Sequence, residues 1–315
     1  MYSVTRLLVS HSSKFEFEQA LTRSQLETLK ENRFTSYVLA RANIFRCKRD
    51  DDYFAIKIMS IPNEEQRDNV MKEISVLKTL NHTNVVGLVD SMINGDDVFA
   101  VFEYPDSNLQ AYMKNSELFL YQCKNRFLYQ ILSGIAHLHS RRILHKDLRP
   151  DKILVYMKSS ITMRIAEYNN GKAYDVPLDC FYSENIGFPS YRAPELLFGN
   201  NYSTANDVWS VGCIFAEMHL RRPLFSAGTD LELLNEMFSL LGTPTEEIWP
   251  GKTSFLGSIA ALEPPKQPKE LRSVFPELEP AGVDILSVSY FHNFLLCLLH
   301  WSSVYCISVQ LNFND

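Results

Sequence analysis

The chain has 315 residues, of which 46% are hydrophobic and 22% are charged, values close to those of soluble globular domains. Its formal net charge of −6 argues against nucleic-acid binding, which basic surfaces favour. The six cysteines are scattered without a CxxC pair, and the apolar run LLV near the N-terminus is too short for a signal-peptide core. These features favour a reducing compartment, and we expect a cytoplasmic or nuclear protein.

The first part of the chain is predicted to be rich in strands. Residues 34–59 contain FTSYVLARANIF and YFAIKIM on either side of the charged turn KRDDD, a pattern that predicts an antiparallel hairpin. Residues 64–80 place Val70, Ile74 and Leu77 at helical spacing. Two short strands are expected next, in NVVGLVD and DVFAVFEY.

Helical patterns dominate from residue 117 onward, and the longest is ELFLYQCKNRFLYQILSGIAHLHS. A small sheet-rich lobe followed by a larger helical lobe predicts an α+β fold. The predicted segments are an N-terminal extension (1–26), a sheet-rich lobe (27–104), a helical lobe (105–287) and a divergent apolar tail (288–315).

Several motifs follow one another in a specific order. AIK places Lys57 on a predicted strand, and Glu73 lies in the helix after it. HKDLRPDK and SYRAPE follow, and the most specific stretches are DVWSVGCIFAEMHLRRPLF and LLGTPTEEIWPG. Over residues 27–287 the chain therefore resembles the protein kinases, and the cyclin-dependent kinases in particular.

The resemblance implies a two-lobed kinase fold that binds ATP and Mg²⁺ and phosphorylates serine or threonine in a protein. Lys57 would bind the α- and β-phosphates, Glu73 would hold Lys57, and Asp147 would orient the substrate hydroxyl. Arg149 would keep a cation near the γ-phosphate, and Asp207 would be buried and hold the backbone of the catalytic loop. The implied nucleotide-binding residues are Val38, Ala55, Lys57, Glu103 and Leu154.

The glycine-rich loop with which the family covers the phosphates has no counterpart in this chain. The first glycine is Gly87, and KENRFTSYV stands where we expect the loop. Only a backbone without Cβ approaches phosphates so closely. We therefore expect the side chains of Asn32, Arg33 and Phe34 to hold the backbone away from a nucleotide or to fill its pocket.

The two metal-ligand positions of the family are also altered. Glu167 stands in place of the aspartate of the Asp-Phe-Gly triplet, and its carboxylate is one methylene further out, which suits Mg²⁺ poorly. Lys152 stands in place of an asparagine, and an ammonium cannot ligate a metal. Two interpretations of Lys152 remain open: it binds phosphate in place of the metal, or it is a solvated lysine.

Three further departures concern regulation and the binding of adenine and substrate. Lys146 replaces the arginine that receives a phosphorylated activation loop, and Ser183 lies near the expected phosphosite. Phe188 replaces a threonine whose hydroxyl bonds to the catalytic aspartate. Pro105 lies where a backbone N–H normally bonds adenine, and proline has none.

The resemblance ends after GVDILS. The arginine with which the family pairs Glu195 is missing, since no Arg or Lys occurs after Arg272. The tail is long and uncharged enough for a membrane span, but its serines, its histidines and the absence of a basic flank argue against one. A helix packed on the helical lobe and an aberrant, poorly packed end are the other interpretations.

These departures favour a kinase domain with weak or lost phosphotransfer that acts as a nucleotide-binding, regulatory or scaffold module. The alternative is an active serine/threonine kinase, and a membrane-tethered decoy is a third hypothesis. The expected partner is a protein substrate or a regulatory protein such as a cyclin. The cyclin-docking helix of the family corresponds here to EEQRDNVMKE, which departs from the usual contact sequence.

Overall fold

The chain divides into two compact units, Met1–Asp106 and Ser107–Asp315. The structure is a computed structural model, and it describes residues 21–41, 43–115, 123–167, 187–198, 203–245 and 265–287. Within these ranges it contains eight helices and eight strands, so the predicted α+β fold is confirmed.

The first unit contains an antiparallel sheet of five strands in the order β1-β2-β3-β5-β4. The strands are β1 (Thr35–Arg41), β2 (Ile44–Arg49), β3 (Asp52–Ser60), β4 (Leu88–Asn94) and β5 (Asp97–Glu103). Helix α1 (Arg23–Glu31) precedes the sheet, and helix α2 (Glu64–Thr79) connects β3 to β4. The predicted helix at 64–80 is present, with Ile74 and Leu77 buried.

The register of this sheet sorts its side chains onto two faces. Lys57 lies opposite Ile44 on β2 and Ala100 on β5, while Ala55 lies opposite Arg46. Directly opposite residues share a face, and successive residues alternate between faces. One face therefore carries Lys57 and Ala55 with their partners. The other face carries the buried core residues Phe45, Cys47, Ile56, Ile58, Phe99 and Val101, with the partly buried Phe54 packed against them.

Helix α1 completes this core. Leu29 is fully buried and Phe34, just after the helix, is 1% exposed. Thr22 and Gln25 form a capping box that starts the helix, and Gln25 also donates to Asp97 at 2.8 Å. The predicted boundary between the N-terminal extension and the sheet-rich lobe, at residues 26 and 27, thus falls inside this helix. With Leu26 and Leu29 alone as apolar residues in RSQLETLKE, the helical period is too short to recognise from the sequence.

Residues 34–59 form three strands where the sequence predicts two. FTSYVLARANIF contributes both β1, which ends at Arg41, and β2, which begins at Ile44 and pairs antiparallel with β1. The charged segment KRDDD contains the next turn, at Asp50 and Asp51, as predicted. In NVVGLVD the strand begins only at Leu88.

The second unit is mainly helical. Its helices are α3 (Leu109–Lys114), α4 (Lys124–Ser140), α5 (Thr204–Leu220), α6 (Asp230–Leu241), α7 (Leu271–Val274) and α8 (Pro280–Ser287). A small sheet of order β6-β7-β8 consists of β6 (Ser107–Asn108), β7 (Ile153–Met157) and β8 (Ile161–Ile165). The segment 141–152 between α4 and β7 is the catalytic loop implied by the family resemblance.

Candidate active site

Lys57 and Glu73 form the ion pair that the motifs predict. The Lys57 Nζ lies 3.1 Å from the Glu73 Oε1, and the two side chains are 22% and 33% exposed. Strand β3 fixes the lysine, and α2, capped at its start by the side chain of Asn63, fixes the glutamate. The ammonium is therefore held in one place on the sheet, as a group that binds phosphate requires.

The nucleotide-binding positions predicted in the first unit lie close together in the register. Val38 on β1 is the partner of Arg46, which is in turn the partner of Ala55. Glu103 is the last residue of β5. Sequence reasoning missed Ile44, which lies directly opposite Lys57 and shares its face. Recognising the turn between β1 and β2 would have identified Ile44, because the alternation of side chains between the two faces of the sheet can then be followed along β2.

The predicted obstruction by Asn32, Arg33 and Phe34 is wrong. Residues 30–31 end helix α1, and Phe34 packs into the core of the first unit with its ring 5.8 Å from that of Phe54. The first two strands are instead connected between Arg41, the end of β1, and Ile44, the start of β2. This connection contains no glycine either, and Asn43 donates from its side chain to the carbonyl of Ile58 at 2.8 Å.

The segment that would face adenine in the family begins at Glu103. The N–H of Tyr104 donates to the carbonyl of Tyr53 at 3.1 Å, so this donor is engaged within the first unit. Pro105 follows and has no N–H. Neither Tyr104 nor Pro105 therefore offers adenine a backbone donor.

In the second unit, Asp207 holds the catalytic loop. Its carboxylate is fully buried and accepts from the N–H groups of His145 at 2.9 Å and Lys146 at 3.2 Å. The Nε2 of His139 lies 2.7 Å from the same carboxylate. Lys146 adopts a left-handed backbone conformation, with φ of 70°. The geometry expected of Asp207 is thus present, since one buried charge fixes two successive backbone amides.

His145 connects this loop to the strand β8 and the residues after it. The imidazole is buried, and burial lowers its pKa, which favours the neutral ring. Its Nε2 lies 3.1 Å from the carbonyl of Ala166, and its Nδ1 lies 3.3 Å from the N–H of Asp147. A neutral ring that donates through Nε2 and accepts through Nδ1 satisfies both contacts.

The carboxylate of Asp147 has a donor on each oxygen. The Nε of Arg149 donates to Oδ2 at 3.2 Å, and the backbone N–H of Phe188 donates to Oδ1 at 3.1 Å. The backbone N–H of Phe188 thus donates to the aspartate that, by resemblance, a threonine hydroxyl contacts in the family. Arg149 also pairs with Asp151 at 3.2 Å. Asp147 is held in place, and its side chain remains 39% exposed.

The two altered metal-ligand positions bind each other. The ammonium of Lys152 pairs directly with the Oε2 of Glu167. The Lys152 side chain is 10% exposed, so it is not the solvated lysine that one interpretation assumed. The N–H of Ala166, the residue before Glu167, donates to the carbonyl of Lys152 at 2.9 Å, so this bond joins the two segments next to the ion pair. Glu167 has φ of 54°, a left-handed conformation uncommon outside glycine.

This ion pair does not fit a magnesium site. Mg²⁺ needs oxygen ligands in nearly ideal octahedral geometry, and an ammonium at Glu167 supplies a positive charge where the metal would lie. Among the described residues there is no group of three or more acidic, histidine or cysteine side chains arranged to hold a metal. The predicted metal role of Glu167 therefore lacks a supporting arrangement.

The remaining predicted residues are distributed as follows. Leu154 lies on β7, partly buried, opposite Asn108 and Arg164. Ser183 and the apolar tail 288–315 lie outside the described residues. Glu195 is partly buried, and the side-chain amide of Asn206 donates to it where the family provides an arginine. Burial raises the pKa of the Glu195 carboxyl to about 7.

No helix within the described ranges is long and apolar enough to cross a membrane. A model of the protein kinase domain matches residues 40–302, which is most of the chain. Its match covers Lys57 and Glu73 of the first unit and the whole catalytic loop of the second. Domains of this family generally bind ATP and Mg²⁺ and transfer phosphate. The chain therefore belongs to the protein kinase family.

Proposed function

We propose that this protein is a cyclin-dependent-kinase-like domain that binds nucleotide but has weak or lost phosphotransfer, and that it acts as a regulatory or scaffold module. The observation that carries this proposal is the ion pair between Lys152 and Glu167. It neutralises the carboxylate on which a metal would depend and puts an ammonium in the place of the second metal ligand.

Nucleotide binding is supported by the residues that the alterations spare. In the first unit, Lys57 is fixed by Glu73 and would bind phosphate, while Ala55 and Ile44 offer an apolar surface beside it. Bound ATP would supply the phosphoryl group. A protein acceptor would meet Asp147, whose carboxylate is positioned to orient a hydroxyl.

Phosphotransfer depends on neutralising the charge that spreads over the phosphate oxygens in the transition state. In this family metal ions supply most of that charge, and the Lys152–Glu167 pair opposes their binding. The connection between β1 and β2 is a second reason to expect weak phosphotransfer. It contains no glycine, and a backbone that carries Cβ atoms cannot approach phosphates closely. Ground-state binding depends less on these features than transfer does, so binding is the activity we expect to survive.

An active serine/threonine kinase is the second candidate. The anchoring of the catalytic loop by Asp207 and the positioning of Asp147 favour it, since neither is needed for a scaffold. In that case Glu167 would have to release Lys152 when a metal binds.

A thermal-shift titration with ATP tests nucleotide binding. Saturation at about 100 times the dissociation constant stabilises a folded protein by about 2.7 kcal/mol. We expect wild type to be stabilised and Lys57→Met to lose the shift. Lys72→Met changes an exposed lysine of the same unit and should keep it. Equal shifts in all three proteins, or none in wild type, would contradict the proposal.

The proposed partner is a regulatory protein or protein substrate, with a cyclin as the specific candidate. Helix α2 would be the docking element by resemblance, and Met71 on it is 38% exposed. A pull-down with a panel of cyclins tests this, and recovery of none would remove cyclins as partners. The cytoplasm or nucleus is proposed as the location, supported by cysteines that are free where described: Cys47, Cys123 and Cys213.

A further inference from the structure

The second unit contains a set of two charged side chains that balance each other. The ammonium of Lys152 pairs with the carboxylate of Glu167. One acidic and one basic group give this set no net formal charge. By resemblance, the family has a neutral asparagine where this chain has Lys152, so its corresponding set carries an excess negative charge. That excess is what a divalent cation normally compensates.

We propose that this set binds the phosphate chain of a nucleotide without a divalent cation, with the ammonium of Lys152 in the place of the metal. The inference rests on the proposed function, since it takes nucleotide binding as given and names the ionic form of the ligand. The ligand class is a metal-free nucleoside triphosphate or, more generally, a polyphosphate.

The surroundings of Lys152 suit this role. Its side chain is 10% exposed, and its carbonyl and N–H are both bonded, to the N–H of Ala166 and to the carbonyl of Arg149. A charge held in such a position loses little conformational entropy when an anion binds, and it acts in a medium of lower effective dielectric than water. An ammonium is a compact charge with three N–H donors, so it can bridge a carboxylate and a phosphate oxygen.

Glu167 sets the sign of the sharpest test. If Glu167 were a metal ligand, Glu167→Gln would weaken binding of ATP in Mg²⁺. If Glu167 instead pairs with Lys152, the same substitution removes one negative charge beside the ammonium and strengthens binding of ATP in EDTA. The two accounts therefore predict opposite changes from one variant, in two buffers that differ only in the metal.

The experiment is isothermal titration of the full chain with ATP and with inorganic tripolyphosphate, each in EDTA and in Mg²⁺ at matched ionic strength. Wild type should bind ATP with equal affinity in both buffers, within about threefold. In EDTA, the affinity of Lys152→Asn for ATP should be lower than that of wild type by about tenfold or more, the loss typical of one charge-assisted hydrogen bond. The same variant should bind ATP more tightly in Mg²⁺ than in EDTA. Lys269→Asn makes the same change at an exposed site and should match wild type.

Each other outcome has a definite meaning. Binding by wild type that requires Mg²⁺, or equal behaviour of Lys152→Asn and Lys269→Asn, overturns the inference. Glu167→Gln guards against a variant that fails to fold, because it is expected to gain affinity in EDTA, and a loss there also overturns the inference. If wild type binds tripolyphosphate in EDTA but not ATP, the inference stands for polyphosphate and the proposed nucleotide function fails. If wild type binds neither, both fail.

Discussion

Asp207 shows how much one buried side chain determines in this protein. Its carboxylate contacts the imidazole of His139 and the backbone amides of His145 and Lys146. A carboxylate accepts all three donors, whereas an amide would turn its own N–H groups toward at least one of them. The position of the catalytic loop therefore depends on a charge that never reaches solvent.

Asp207→Asn is expected to lower the free energy of unfolding by about 3 kcal/mol, because it leaves buried donors without an acceptor. Asp284→Asn, at an exposed aspartate of the same unit, should change it by less than about 0.5 kcal/mol. Urea denaturation followed by circular dichroism measures both. Equal stability of the two variants would show that the carboxylate does not hold the loop.

Glu195 makes the stability of the second unit depend on pH. Burial raises its pKa from 4.5 to about 7, so between these values the folded chain binds more protons than the unfolded chain. The sign follows directly: the group destabilises the fold increasingly as the pH rises from about 4.5 to about 7, and the penalty is constant above that.

Glu195→Gln imitates the protonated carboxyl and keeps an acceptor for Asn206. It should therefore be stabilised relative to wild type by an amount that grows between about pH 5 and about pH 8, to on the order of 3 kcal/mol. Glu270→Gln, at an exposed site, is the control and should follow wild type at every pH. Thermal melts of the three proteins check this, and a constant difference across the range would contradict it.

At the scale of elements, helix α1 is an integral part of the first unit. It lies outside the matched kinase residues, yet it buries Leu29 against the sheet and bonds to it through Gln25 and Thr28. The outer face of the sheet would otherwise expose a continuous apolar surface. We infer that the first unit needs this helix to be stable.

Leu29→Ala should lower the free energy of unfolding by about 2–5 kcal/mol, since it removes a fully buried side chain and leaves a cavity. Leu231→Ala is a matched control on α6, where the leucine is 51% exposed, and should cost less than about 1 kcal/mol. Chemical denaturation compares them. A small effect of Leu29→Ala would mean that α1 is not needed for the core.

The elements differed in how far the sequence predicted them. Helix α2 was predicted because Ile74 and Leu77 repeat at helical spacing in a long segment with charges on its other face. The turn between β1 and β2 was not predicted, since Ala42 and Asn43 are not a strong turn signal in the sequence and the apolar run continues past them. The misplaced glycine-loop position followed from that single error, and so did the omission of Ile44.

One of the two ion pairs of the candidate site was predicted from the sequence, and the other was not. Motif order identified Lys57, Glu73, Asp147 and Glu167, and the first two lie together as expected. The contact between Lys152 and Glu167 could not be foreseen, because it joins residues fifteen apart whose backbones are brought together by β7 and β8. Such a pair depends on tertiary structure that no local pattern records.

At the scale of the whole molecule, the kinase fold is preserved while residues at the expected phosphate and metal positions differ from those of the family. Both units keep the positions of the kinase scaffold, and the alterations concentrate where phosphate and metal would bind.

The measurement that tests the central claim most directly is phosphotransfer from radiolabelled ATP in Mg²⁺, with wild type compared with Asp147→Asn. Acceptors are the chain itself and a pool of peptides with proline after serine or threonine. We predict that wild type incorporates no more phosphate than Asp147→Asn, because neither assembles a metal site. Incorporation by wild type about tenfold or more above the variant, a barrier difference of about 1.4 kcal/mol, would contradict the account and establish an active kinase.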